Sequence, residues 1–278
     1  MEAELEPIVS LLAKNAWPFR LHATYNESIE RALTVFEKIN REIPLNKLNW
    51  FFDHAETITD QSIERVKKLG GGIAIQNRIA FQGEYFLDRY GKTQTLRTPP
   101  IQKILAAGIP VGMGTDATRV SSYNPWLCLY WLCTGKSLGG TQLYDQHNIL
   151  SREQALALYT QGSAWFSNEE NKKGSFVENQ LADFAVLSKN FFTVPDEEIK
   201  EIYSLMTVVG GEIVHASDEF SQHNPPLPPI SPDWAPIKYY GTYGGNKIIV
   251  KQALPQYNCA SHREHTVQHG LGCYCWAF

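Results

Sequence analysis

Two histidines and one aspartate stand at the ends of strand-like apolar runs, a placement from which side chains can converge on one centre. His22 closes Trp17-Pro-Phe-Arg-Leu-His, His54 closes Trp50-Phe-Phe-Asp-His, and Asp116 follows Gly108-Ile-Pro-Val-Gly-Met-Gly-Thr. Catalytic groups of α/β folds sit at the C-terminal ends of the strands. Neutral imidazole is the commonest transition-metal ligand, and a carboxylate adds a harder oxygen donor. Held together, these three could bind a divalent ion and leave a position for water, whose pKa would fall from near 16 to ~7. A carboxylate beside that water can take its proton and pass it to a leaving group. The chemistry implied is metal-assisted hydrolysis. Each residue also has a plainer reading: the histidines as ordinary core or surface residues, and Asp116 as a helix N-cap. A metal-free acid–base couple between Asp116 and His54 is a third.

The elements that must position these residues follow from the hydrophobic pattern. Strands are expected over 17–22, 49–54, 72–76 and 109–114, and helices over 4–15, 26–40, 59–70, 79–90 and 99–107. Asn26 is a plausible N-cap, and Pro99-Pro100 opens a helix as proline does at a first turn. Four alternations of strand and helix predict a parallel sheet with right-handed crossovers. The pattern then changes. Apolar and capped helices begin at Pro125 and Ser151, and short β segments lie at 184–187 and 206–215, with Gly210-Gly211 as a hairpin turn. These segments form a small appended β module. Residues 1–165 are therefore read as βα units, 166–220 as the β module, and 221–278 as a Pro-rich linker and tail. The tail carries Cys259, His262, His265, His269, Cys273 and Cys275 in spacings unlike a standard zinc finger.

Composition removes other classes. A net charge of −4 with mixed signs leaves no footprint for nucleic acid or an anionic membrane. No apolar run reaches the roughly 20 residues of a membrane span, the acidic N-terminus has no apolar leader core, and five scattered cysteines do not suggest a disulfide framework. A cytoplasmic location is expected. Asp53 and Glu56 flank His54 and could orient its ring. Arg78, Gln82, Arg119 and Tyr123 lie just past strand ends and could meet a small-molecule substrate. The aromatic residues Phe81, Tyr85, Tyr123 and Trp126 hint at an apolar moiety in it.

Phe19-Arg-Leu-His22-Ala-Thr, Phe52-Asp-His54-Ala-Glu and Gly112-Met-Gly-Thr-Asp116-Ala together resemble the amidohydrolase superfamily, its YtcJ-like branch (amidohydrolase family 3) above all. The resemblance covers residues ~1–220 and includes Leu181-Ala-Asp-Phe-Ala-Val-Leu, similar to the family's entry into its small β-sandwich. It implies a TIM-barrel-type α/β fold that hydrolyses amide or related carbon–nitrogen bonds with one or two divalent metals, commonly zinc. By that likeness His22 and His54 are metal ligands, and Asp116 is a ligand that also shuttles the proton. The family's first strand carries a His-x-His pair, and this chain contains none. The four βα units correspond to the C-terminal half of a barrel. A second chain supplying the other half, or a homodimer, is expected as partner; a half-barrel acting as a non-enzymatic module is the rival reading.

Overall fold

The computed structural model describes residues 1–226, so the Cys/His tail lies outside the described residues. Helix α1 (Glu2–Lys14) leads into β1 (Phe19–Ala23). There follow α2 (Asn26–Asn40), β2 (Trp50–His54), α3 (Asp60–Leu69), β3 (Gly72–Gln76), α4 (Arg78–Thr95), α5 (Ile101–Ala106) and β4 (Val111–Gly114). The four strands form one parallel sheet in the order β1-β2-β3-β4, with neighbours in sequence also neighbours in space. Each crossover helix stays on the sheet because its apolar stripe must be buried. In α2, Ile29, Leu33, Phe36 and Ile39 recur at three- and four-residue spacing and are all buried.

The two faces of the sheet differ in chemistry. Phe19, Leu21, Trp50, Phe52, Ile73, Ile75, Val111 and Met113 share the helix-covered face. There Phe36 lies edge-on to Phe19 and Trp50, with ring centroids 5.6 and 5.0 Å away, and stacks on Phe52 at 5.8 Å. The other face carries Arg20, His22, Phe51, Asp53, Gly72, Ala74, Gln76, Gly112 and Gly114, small or polar except for one phenylalanine. Register sets this division along the strands, because alternate residues point to opposite faces, and it holds until His54 at the end of β2.

The N-terminal end of that second face is closed by the segment that follows. After α6 (Pro125–Thr134) and α7 (Arg152–Ala157), a π-helical turn (Leu158–Gly162) runs into α8 (Ser163–Phe166). Phe166 meets Phe51 edge-on at 4.4 Å. A Cβ on Gly112 would come within 2.5 Å of Phe166, and one on Gly72 within 2.6 Å of Trp165. Glycine at these two positions lets α8 approach the strands. Ser163 Oγ fastens the contact, donating to the Met113 carbonyl at 2.9 Å and accepting from the Met113 amide at 3.3 Å. The C-terminal strand ends remain open on this face, as does β1, where Arg20 and His22 are exposed.

A three-stranded antiparallel sheet follows in the order β5 (Phe184–Leu187), β6 (Ser204–Val209), β7 (Glu212–Ala216). Gly210 and Gly211, both at positive φ, make the hairpin between β6 and β7 as the sequence suggests. Residues Met1–Asn224 form one compact unit. No helix among the described residues is long and apolar enough to cross a membrane.

Candidate metal centre

His22 and His54 meet at the open end of the sheet. β1 and β2 pair in parallel with His22 opposite Asp53 and Ala23 opposite His54, so alternation alone would turn His54 to the helix-covered face. Its left-handed backbone (φ 76°) ends the alternation, and its ring meets that of His22 diagonally across one strand gap. His22 Nδ1 and His54 Nε2 are 2.9 Å apart, with the rings near perpendicular at 72°. One nitrogen donates and the other accepts. Thr24 Oγ1 lies 3.5 Å from His22 Nε2, at the outer limit of a hydrogen bond.

The loops after the two strands are tied together, which fixes this geometry. The Ala55 amide donates to the Ala23 carbonyl at 3.0 Å, and the Thr57 amide to the Thr24 carbonyl at 3.3 Å. Asn26 does not cap α2, whose N-cap is Tyr25. Its side chain reaches to the next loop instead, accepting from the Thr59 amide at 3.0 Å, while its own amide donates to Thr57 Oγ1 at 2.9 Å. A residue suited to capping instead joins the loops that follow β1 and β2. Non-glycine residues at left-handed φ also gather here: His54 (φ 76°), Ala55 (φ 48°) and Asp116 (φ 53°). Each costs on the order of 1–3 kcal/mol, and such strain collects at functional sites.

A cavity of about 440 Å³ is lined by Arg20, His22, Asp53, His54, Gln76, Gly114 and Asp116. Burial, and then the neighbouring His22, hold the His54 imidazole below its ordinary pKa, so it is neutral at pH 7. Burial also raises the Asp53 carboxyl, against the opposing pull of Arg20, whose Nε lies 3.5 Å from Oδ2. Asp116, exposed on the loop after β4, acts on His54 and Asp53 through its charge.

The three expected metal residues thus share one cavity, but they do not close into a ligand set. Among the described residues, no three His, Cys, Asp or Glu side chains form a group that could hold a metal. β2 and β4 are separated by β3, so Asp116 has on the order of 10 Å of sheet between its strand and that of His54. The histidine pair fits a cation better. Two nitrogens ~2.05 Å from one tetrahedral ion sit about 3.3 Å apart, so a small opening of the 2.9 Å contact admits one.

The expected substrate residues lie elsewhere. None of Arg78, Gln82, Arg119 and Tyr123 lines this cavity. Arg78 is bound to Glu56 by two parallel contacts, Nε to Oε1 at 2.8 Å and Nη2 to Oε2, and its Nη1 donates to Gln82 Oε1 at 3.2 Å. Arg119 and Tyr123 are exposed on the loop that carries Asp116. Tyr85 accepts a hydrogen bond from Arg89 at 3.2 Å, and Trp126 packs on Phe191 with ring centroids 5.9 Å apart. Arg20 and Gln76 are the cavity residues that reading the sequence passed over. Arg20 could have been found by stepping back two from His22 along the strand, and Gln76 as the one polar residue ending an apolar strand.

Comparison with known proteins agrees with this architecture. The model of the amidohydrolase family matches residues 1–215. The chain is 26% identical over 198 residues to YtcJ, an amidohydrolase by name, of Bacillus subtilis (strain 168), covering 70% of this chain and 37% of that protein. It is 23% identical over 212 residues to N-substituted formamide deformylase of Arthrobacter pascens, covering 76% and 39%. The chain therefore spans less than two-fifths of the length of these curated relatives. Among solved structures, an uncharacterized metal-dependent hydrolase from Pyrococcus horikoshii OT3 superposes with a TM-score of 0.61 at 22% identity, over 70% of this chain and 39% of the other. That likeness concerns the fold, and it is consistent with the four-stranded parallel sheet being part of a barrel. With the family model matching more than half of its length, the chain belongs to the amidohydrolase family, in its family-3, YtcJ-like branch.

Proposed function

We propose that His22 and His54 are two ligands of one divalent cation, and that the site hydrolyses a carbon–nitrogen bond of a small non-peptide amide. The observation that carries this reading is the pair of ring nitrogens 2.9 Å apart at adjacent parallel strand ends, in a cavity shared with Asp116. The names of the relatives, an amidohydrolase and a formamide deformylase, support the class of bond. The name of the archaeal hydrolase supports the metal. Zinc suits an imidazole and carboxylate donor set.

A divalent cation at the pair supplies a Lewis acid that polarises a carbonyl and acidifies water. The protein's own part is to place and move protons. Asp116 stands at the rim of the cavity, where its carboxylate takes the proton of the attacking water. That proton then passes to the leaving nitrogen as the carbon–nitrogen bond breaks, giving a carboxylic acid and an amine. His54, neutral through burial, keeps a lone pair for a cation.

The experiment is release of amine from a panel of N-substituted formamides and acetanilides, with zinc added or with a chelator present. Turnover that needs the ion, and that falls on the order of 100-fold or more in His22→Ala or His54→Ala, supports the reading. Turnover indifferent to chelator would overturn it in favour of the metal-free Asp116–His54 couple. A second reading draws on the missing third ligand among the described residues: a second chain, another copy or a separate one, completes the site. Activity that appears only in an assembly larger than the single chain would favour it.

A further inference from the structure

The C-terminal end of β3 holds polar atoms that the protein leaves without partners. Gln76 lines the same cavity as His22, His54 and Asp116. Its side-chain Oε1 is buried and has no hydrogen-bond partner among the described residues. The next residue, Asn77, is fully buried, and neither its Nδ2 nor its Oδ1 is paired. Most buried polar groups in folded proteins are satisfied, and each one that is not calls for an explanation. For Asn77 none is offered by the cavity, which it does not line. Gln76, unlike Asn77, lines the cavity, and a turn of its side chain would present Oε1 there.

We propose that Gln76 is a specificity-determining residue that reads the substrate's amide, its Oε1 accepting a hydrogen bond from the substrate N–H. Several features point this way. The register places Gln76 opposite Gly114, with Ala74 beside Gly112 one step deeper, so no neighbouring side chain from β4 crowds the amide or offers it a proton. The charged groups of the cavity, Asp53 and Asp116, are acceptors when ionised and cannot donate to Oε1. Arg20, the one guanidinium lining the cavity among the described residues, is turned to Asp53. The partner that Oε1 lacks is a donor, and a secondary amide brings one that an ester of the same shape does not. A site built to accept a hydrogen bond discriminates against the analogue that cannot make it, because the buried acceptor is then left unpaired. The inference rests on the proposed reading of this site as one that binds an amide, and it adds the group that selects the amide.

The test separates binding from turnover. Acetanilide and phenyl acetate, nearly isosteric but differing in the N–H, are titrated against the full chain dialysed with chelator, followed by ligand-observed NMR. The wild-type chain is expected to bind acetanilide about tenfold more tightly than phenyl acetate. Gln76→Leu should remove that preference by weakening acetanilide alone. Gln76→Glu keeps an acceptor of the same shape and should retain it. Equal affinity for the two ligands in the wild type, or equal loss of both in Gln76→Leu, would overturn the proposal. So would loss of the preference in Gln76→Glu, which would mean that the amide nitrogen donates instead. If the preference depends on Gln76 but no divalent ion yields turnover, the proposed hydrolysis fails while the recognition stands.

Discussion

Replacing Arg78 with methionine should destabilise the chain strongly, and the structure says how much. The Arg78 and Glu56 side chains are only 13% and 2% exposed, and they join through two parallel hydrogen bonds. Removing the guanidinium leaves a carboxylate with almost no access to water. Breaking a buried pair from one side costs about 3–5 kcal/mol, because the remaining charge is uncompensated. For a unit of this size each kcal/mol moves Tm by ~2–4 °C, so a fall on the order of 10 °C is expected. Urea unfolding followed by tryptophan fluorescence reads the free energy directly. The double variant Glu56→Leu with Arg78→Met should recover most of the loss, since an apolar pair of similar volume replaces the ions. Lys103→Met, which breaks an ion pair with Asp60 whose partners are 55% and 61% exposed, should change stability by less than ~1 kcal/mol. A loss below about 1 kcal/mol in Arg78→Met, or a double variant no better than the single one, would refute the reasoning. If Arg78 instead served substrate directly, as its place past a strand end suggested, KM would rise while stability held.

Gly162→Ala should be poorly tolerated, because an added Cβ would overlap the Val111 carbonyl oxygen and push the π-helical turn off β4. A loss of about 1–3 kcal/mol in urea unfolding is expected, and a change within ~0.5 kcal/mol would show that the contact is looser than described. The Glu197 carboxyl is lowered to about 2 by hydrogen bonds from Lys200, Lys136 and Tyr130. With its folded pKa below the ordinary 4.5, its contribution is present above pH 4.5 and disappears as the pH falls towards 2. Thermal scans from pH 6 to 2 should show a steeper acid decline in the wild type than in Glu197→Gln, and parallel curves would contradict the assignment.

Much of the fold was legible because its signals are local. The short apolar runs Trp50–Phe52 and Gly72–Ile75 read as buried strands, Phe19–Leu21 alternates as a half-buried one, and Asn26–Asn40 repeats its apolar residues at helical spacing. Strand ends then gave the His22–His54 pair, since parallel neighbours align their C-terminal ends. What escaped depends on contacts made at a distance. Arg78 and Glu56 are 22 residues apart, and nothing local says that one neutralises the other. The left-handed conformations of His54, Ala55 and Asp116 carry no glycine to announce them. Asn26 looked like a cap and became a tie between loops, a choice set by Thr57 and Thr59 more than thirty residues on. Asp116 was expected to join the histidines at one ion. Its strand was placed correctly, but convergence depends on how far the sheet curves, which spacing in sequence does not encode.

The central claim is that the two imidazoles at the β1 and β2 ends bind a divalent cation. Calorimetric titration of the chelator-treated chain with zinc at pH 7, repeated on His22→Ala, His54→Ala and the double variant, tests it most directly. A saturable event is expected in the wild type, weakened in each single variant and absent from the double one, with a rise in Tm that follows mass action. Zinc binding of unchanged affinity in the double variant would place the ion elsewhere in the chain. No saturable binding by the folded wild-type chain would contradict the metal centre itself.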